Sequence, residues 1–270
     1  IWNKYFDRWS YSLGVVAQYS QFRNDYYTRV RSELRDANGM LLQPAFIVQG
    51  NSSLNFLRYG AFAQVATKMF KERLNVSLGL RTDGNTFTTN GNNLGETISP
   101  RLAASLFLVE NLKFNASAAR YYKIPTYTML GYQSNGVYVN QNSKYIQSDH
   151  LVAGFEYLPA RDTRFTLEGF YKLYDNYPVS LIDSISLANK GGDFSVLGNE
   201  PVTSTGKGRS YGAEFQFQQK LTKNFFAILS YTYYISEFTN ADGMYEPASW
   251  DNRHLLSFIG GYKFKRNYEL

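Results

Sequence analysis

Five loop aromatics, Tyr127, Tyr132, Tyr138, Tyr245 and Trp250, are the side chains best placed for recognition chemistry in this sequence. They fall on long polar connections, where an exposed ring can stack on a sugar or an aromatic ligand. The competing use of each ring is packing between loops, and Tyr145 shares the choice. A second set, Arg81, Arg101, Arg164, Glu168 and Glu214, lies on the polar side of alternating segments. Charges so placed suit a wet interior or polar bonds to a domain held inside it. No catalytic arrangement is expected. His150 and His254 lie in different segments, no G-x-S-x-G word is present, and cysteine is absent, so there is no activated nucleophile. Asn240, Asp242, Gly243 and Glu246 supply part of a calcium-loop spacing, but the ligand set is incomplete. No metal and no cofactor are expected.

The elements that must position these residues are strands. Ten segments alternate apolar and polar residues, at about 8–21, 56–68, 74–84, 97–109, 112–122, 150–158, 163–173, 208–219, 225–236 and 254–265. The connections at 69–73, 110–111, 159–162, 220–224 and 266–267 are tight. Those at 22–55, 85–96, 123–149, 174–207 and 237–253 are long and polar. Short turns at one end and long loops at the other are how a transmembrane β-barrel is laid out. The segments are also long enough to cross a bilayer, which takes about nine to eleven tilted residues. No run of about 18 apolar residues would make a membrane helix.

Side-chain parity gives two faces. Trp9, Tyr11, Leu13, Val15, Ala17 and Tyr19 share one, against Ser10, Ser12, Gly14, Gln18 and Ser20. Leu151, Ala153, Phe155 and Tyr157 oppose Val152, Gly154 and Glu156, and similar rows recur. The 23 tyrosines and 20 phenylalanines fit two aromatic girdles at the membrane interfaces. Two residues break phase. Phe62 lies on the polar side, and Arg120 falls in line with Leu112, Phe114, Ala116 and Ala118. Either Arg120 stands above the bilayer on the lipid side, or a bulge at Ala118–Ala119 turns it inward. The net charge of +6 is scattered without a basic patch or RNA-binding word, so no nucleic-acid partner is expected. The fold class is therefore all-β, an antiparallel up-and-down transmembrane barrel with about ten to eleven strands present, in a single domain over 1–270. A soluble β-rich binding protein and a passive porin or adhesin-like barrel remain as alternatives.

Particular words then carry a resemblance. Ser99-Pro100-Arg101-Leu102 opens one strand, and Tyr122-Lys123-Ile124-Pro125 follows another. Gly212-Ala213-Glu214 and Trp250-Asp251-Asn252-Arg253-His254 stand in late segments. In this order they resemble the C-terminal barrel half of a TonB-dependent outer-membrane receptor. The resemblance implies a 22-stranded barrel, with the plug domain and the N-terminal half of the barrel lying outside this sequence. It implies active import of a scarce nutrient (an iron chelate, vitamin, glycan or peptide) across the outer membrane of a Gram-negative bacterium. The implied partners are outer-membrane lipid, the chain's own N-terminal plug, a TonB-type energising protein and a surface lipoprotein. Substrate would meet the loop aromatics, and the plug would meet the lumen charges.

Overall fold

A computed structural model describes residues 1–191 and 198–264. In chain order the first strands are β1 (Trp2–Tyr5), β2 (Trp9–Arg31), β3 (Leu34–Arg35), β4 (Leu41–Gln43), β5 (Phe46–Met69), β6 (Leu74–Asn85), β7 (Ser99–Val109) and β8 (Leu112–Lys123). One helical turn, α1 (Tyr127–Leu130), precedes β9 (Gln133–Ser134), β10 (Val137–Tyr138), β11 (Ile146–Ala160) and β12 (Thr163–Ser180). The last are β13 (Val202–Thr222), β14 (Phe225–Thr239), β15 (Tyr245–Pro247) and β16 (His254–Tyr262). Twelve strands form one antiparallel sheet in the order β1-β2-β5-β6-β7-β8-β11-β12-β13-β14-β15, with β16 also paired to β14. Each long strand pairs with the next in sequence, as in an up-and-down barrel. Among the described residues β16 does not meet β1 or β2, so the sheet is open.

All ten alternating segments are strands, but several strands outrun them. β2 continues to Arg31 and β5 starts at Phe46, so most of the expected 22–55 loop is a paired hairpin. β12 and β13 likewise extend into the expected 174–207 loop. The reason is physical: beyond the bilayer neither face meets lipid, so the apolar alternation stops while backbone pairing continues. β1 escaped the sequence reading because it is four residues long, joined to β2 by a tight turn at Phe6–Arg8. The expected tight turn at 266–267 lies outside the described residues.

The apolar row is the more exposed of the two faces. Leu151 is 58 % exposed and Leu167 55 %, whereas the polar neighbours Glu156 and Glu168 are partly covered. The sheet therefore curls toward its polar face, and the apolar face is convex, as a barrel in lipid requires. Phe62 is on the concave side, where its ring lies across Gly14, its cross-strand partner. A Cβ at Gly14 would come within 2.3 Å of that ring, so glycine makes room for the aromatic.

Register settles Arg120. The β8–β11 pairing runs from Leu112–Tyr157 to Lys123–Ile146 without a shift, so no bulge turns the side chain inward. Arg120 stays on the convex face and forms a two-pronged bond to Asp149, at 2.6 and 2.8 Å. Following the pairs outward, Asp149 is opposite Leu173, Leu173 opposite Arg209, and Arg209 opposite Glu237. Arg209 and Glu237 make a second ion pair at 2.7 Å. Both ion pairs thus lie in one hydrogen-bonded row on the convex face. Below that row the face is apolar. Tyr171 stacks on Tyr211 at 5.7 Å, and further down come Phe114 against Phe155 and Phe165 against Phe217. Two aromatic tiers with alanine and glycine between them, roofed by charge, match a lipid-facing surface.

Candidate functional site

The concave side at the long-loop end carries a cap. After β8 the chain turns at Ile124-Pro125, both buried, because proline holds the residue before it extended. α1 then drives Met129 and Leu130 to full burial. They pack with Leu54 and Phe56 of β5, Leu187 of the β12–β13 connection and Val202 of β13. Five strands separate β5 from β13 in the sheet, so the cap is a chord across the hollow. Asn140 locks it: its Nδ2 donates to the carbonyls of Met129 and Glu200, and its Oδ1 accepts from the Val202 amide. Asn85, also buried, accepts the Phe87 and Thr88 amides and donates to the Tyr145 phenol. Burial pushes the Tyr145 phenol above its ordinary value.

A further clasp holds the β12–β13 connection. Lys190 Nζ lies 2.8 Å from Asp183 and 2.7 Å from Glu200, and Ser180 Oγ donates to Glu200. Burial pushes the Asp183 carboxyl up, but the hydrogen bond and charge of Lys190 outweigh that and hold it below the usual carboxylate range.

The five loop aromatics do not converge. Tyr127 and Tyr138 are joined through Phe56 and Phe87 by ring contacts of 5.2 to 5.7 Å. Their hydroxyls are occupied: Arg58 donates to Tyr127 at 3.2 Å, and Tyr138 donates to the Ser53 carbonyl at 2.5 Å. Tyr132 is half-buried beside the end of α1. Tyr245 lies over the Arg209 guanidinium at 4.4 Å, and Trp250 leans edge-on against Phe238 at 5.6 Å. Tyr127 and Tyr138 therefore build the cap, while Tyr245 joins the ion-pair row outside.

Arg81, Arg101, Arg164, Glu168 and Glu214 share the concave face, each in different company. Arg81 is tied to Asp83 at 2.6 Å. Arg164 and Lys113 both grip Glu156, at 2.9 and 3.0 Å. Arg101 has no carboxylate partner among the described residues, and its guanidinium lies 4.6 Å over the Tyr121 ring. That ring meets His150 at 4.8 Å, His150 Nε2 is 2.7 Å from Ser148 Oγ, and Lys172 is the cross-strand partner of His150. Lys172 also has no carboxylate partner among the described residues, and its ammonium lies 5.0 Å over the Phe170 ring. Lower on the same wall Glu168 and Glu214 stand directly opposite each other. Like charges in that position destabilise a sheet, and neither has a cation among the described residues. Glu214 accepts the Thr232 hydroxyl. The wall is thus cationic and aromatic above, anionic below. Lys172 lies four residues beyond Glu168 on β12, about 13 Å along the strand.

Lys172 shares the sequence parity of Arg164 and Glu168. Tyr121 and His150 were not legible as site residues, because their meeting depends on β8–β11 register. Chemically, the upper wall can hold an anion against a ring. The lower pair can hold a cation supplied by another part of the protein.

Sequence comparison decides the lineage. The family described as "TonB dependent receptor-like, beta-barrel" matches residues 2–267. The chain belongs to the TonB-dependent receptors. Among curated proteins none matches it. Solved structures that resemble this receptor barrel include the pyoverdine outer-membrane receptor FpvA of Pseudomonas aeruginosa PAO1, at 15 % identity and a TM-score of 0.64, covering 97 % of this chain and 38 % of that one. The ferric-catecholate import receptor Fiu of Escherichia coli K12 is 13 % identical with a TM-score of 0.63, over 98 % and 41 %. The copper transporter OprC is 17 % identical with a TM-score of 0.61, over 97 % and 40 %. At these identities the likeness establishes the fold. The chain spans about two fifths of the length of these TonB-dependent receptors.

Proposed function

We propose that this chain is the ligand-facing part of an outer-membrane transporter that imports an anionic, ring-bearing nutrient, such as a metal chelate, with energy delivered through TonB. The observation that carries the reading is the divided concave wall. Arg101 and Lys172, with Tyr121 and His150 between them, offer unneutralised cations and a ring beneath the cap. Glu168 and Glu214 wait below for a cation, and a plug domain inside the barrel is the natural supplier. The open edges of the sheet support further strands closing the barrel, since an unpaired edge has no hydrogen-bond partners in lipid. The named ligands of two structural neighbours, pyoverdine and ferric catecholate, are of the same chemical kind. Tyr127, Tyr132 and Tyr138 act in this reading through the cap, and Tyr245 and Trp250 at the outer rim. A surface lipoprotein would dock on that rim.

The test uses the full-length receptor. In detergent, Lys172→Glu and Arg101→Glu are each expected to weaken binding of an anionic ferric chelate about tenfold or more. Glu168→Gln with Glu214→Gln should leave binding unchanged while abolishing uptake. Uptake that persists in cells lacking TonB, or constitutive ion conductance in planar bilayers, would refute energised import and favour a passive pore.

A further inference from the structure

At the long-loop end, beside the cap, the wall holds a polar cavity of about 270 Å³, lined by Glu96, Tyr122, Lys144, Tyr145, Gln147 and Asn176 among others. Three pieces of chain build it. Tyr122 and Gln147 are register partners at the tops of β8 and β11. β12 shifts register between Tyr174 and Tyr177, and Asn176 there takes a left-handed backbone, with φ of 57°, which asparagine tolerates better than most residues. The β6–β7 connection adds Glu96. Its neighbour Asn93 accepts the Gly95 amide and donates to the Glu96 carboxylate, so one side chain caps the turn and steadies the glutamate.

The groups left over define what the cavity can hold. The Tyr122 phenol donates to Gln147, the Gln147 amide to Asp149, and the Asn176 amide to the Tyr145 carbonyl. The Tyr145 phenol accepts from Asn85. The neutral side chains are thus engaged within the protein, and two opposite charges are not. Among the described residues the Lys144 ammonium has no partner, Glu96 has no cation, and the two do not pair with each other. Opposite charges that line one cavity without meeting leave a gap for a molecule that carries both. The volume lies below the about 300–1,000 Å³ of sites for drug-sized ligands, so that molecule is small. A neutral sugar would leave both charges unanswered, and a simple anion would answer one. We propose that this rim cavity binds a free α-amino acid, with its carboxylate on Lys144 and its ammonium on Glu96. Tyr121 and His150, which carry the import reading, have the opposite parity on β8 and β11. The amino-acid site is therefore separate from theirs, and its failure leaves that reading standing.

Saturation-transfer NMR on the full-length receptor in detergent tests the assignment, with L-alanine, L-alaninamide and N-acetyl-L-alanine as probes. Lys144 and Glu96 are exposed, so L-alanine should bind with a Kd on the order of 1 mM. Each derivative lacks one charge and should bind about tenfold more weakly. Lys144→Gln should weaken L-alanine to the level of L-alaninamide and leave the amide unchanged, whereas Lys144→Arg keeps the charge and the binding. Glu96→Gln should do the same for the N-acetyl pair. Heat-modifiable gel migration checks that each variant is folded, and the wild-type comparison of the three probes decides the matter where one is not. Equal binding of the three probes, no binding of L-alanine at about 10 mM, or wild-type affinity in folded Lys144→Gln and Glu96→Gln would overturn the assignment.

Discussion

The two faces of this sheet are built on opposite rules. On the convex face side chains are apolar, largely exposed and separated by small residues, and substitutions have room. On the concave face polar and aromatic side chains interlock, and the backbone itself is close. Gly154 and Gly169 sit on adjacent strands and make the contrast in two residues. A Cβ on Gly154 would lie 2.4 Å from the Leu167 carbonyl oxygen, whereas one on Gly169 has no neighbour within 3.9 Å. A membrane barrel can vary its lipid side while its lumen side fixes the register.

Gly154→Leu is the harshest way to break that contrast. It forces the β11–β12 backbones apart, and the folded fraction on a heat-modifiable gel should fall by more than half, a loss of several kcal/mol. Gly169→Leu should fold like the wild type, and equal damage from both would erase the distinction. The cap gives the next effect. Leu130 is fully buried, and Leu130→Ala should cost about 2–5 kcal/mol of cap stability. Limited proteolysis would then cut within 124–145 while the membrane-spanning strands stay protected. Cleavage elsewhere first would mean that the cap is not a separate unit.

The smallest effect sharpens the cap's own electrostatics. Asp183 is held below the usual carboxylate range by Lys190, so its stabilising contribution is present above the unfolded value of about 3.9 and lost as pH falls through the folded one. Asp183 is 42 % exposed, so solvent screening keeps the contribution under about 1 kcal/mol. Hydrogen exchange over 181–191 should be faster in Asp183→Asn than in the wild type at pH 6, and the difference should shrink as the pH falls below the unfolded value. A difference that survives at low pH would place the effect elsewhere than in the ion pair.

The architecture was legible in the sequence where lipid imposes a rule. Leu74, Val76, Leu78 and Leu80 alternate with polar residues because one face must be greasy, and the strands follow. The rule lapses above the bilayer. Nothing in Gln21–Arg31 announces a strand, yet the backbone pairs there with Phe46–Asn55. Arg120 could not be placed from phase alone, since only the register with Asp149 shows that it stays outside. Among the candidate site residues, Arg101, Glu168 and Glu214 were legible through parity. Tyr121, His150 and Lys172 become a group only when two hairpins align. For Tyr127 and Tyr138 the sequence left recognition and loop packing both open, and their contacts with Phe56 and Phe87 show packing.

The overrun of β2 and β5 has a kinetic consequence. A slack loop of that length would have to be ordered when ligand arrives, and each immobilised residue would subtract from affinity. Here a twisted ribbon anchored to the cap through Leu54 and Phe56 is already stiff before any encounter. Under the proposed import function, its contribution to ligand capture should therefore appear in the association rate, as a docking surface on standby, rather than as a slow closing step after contact.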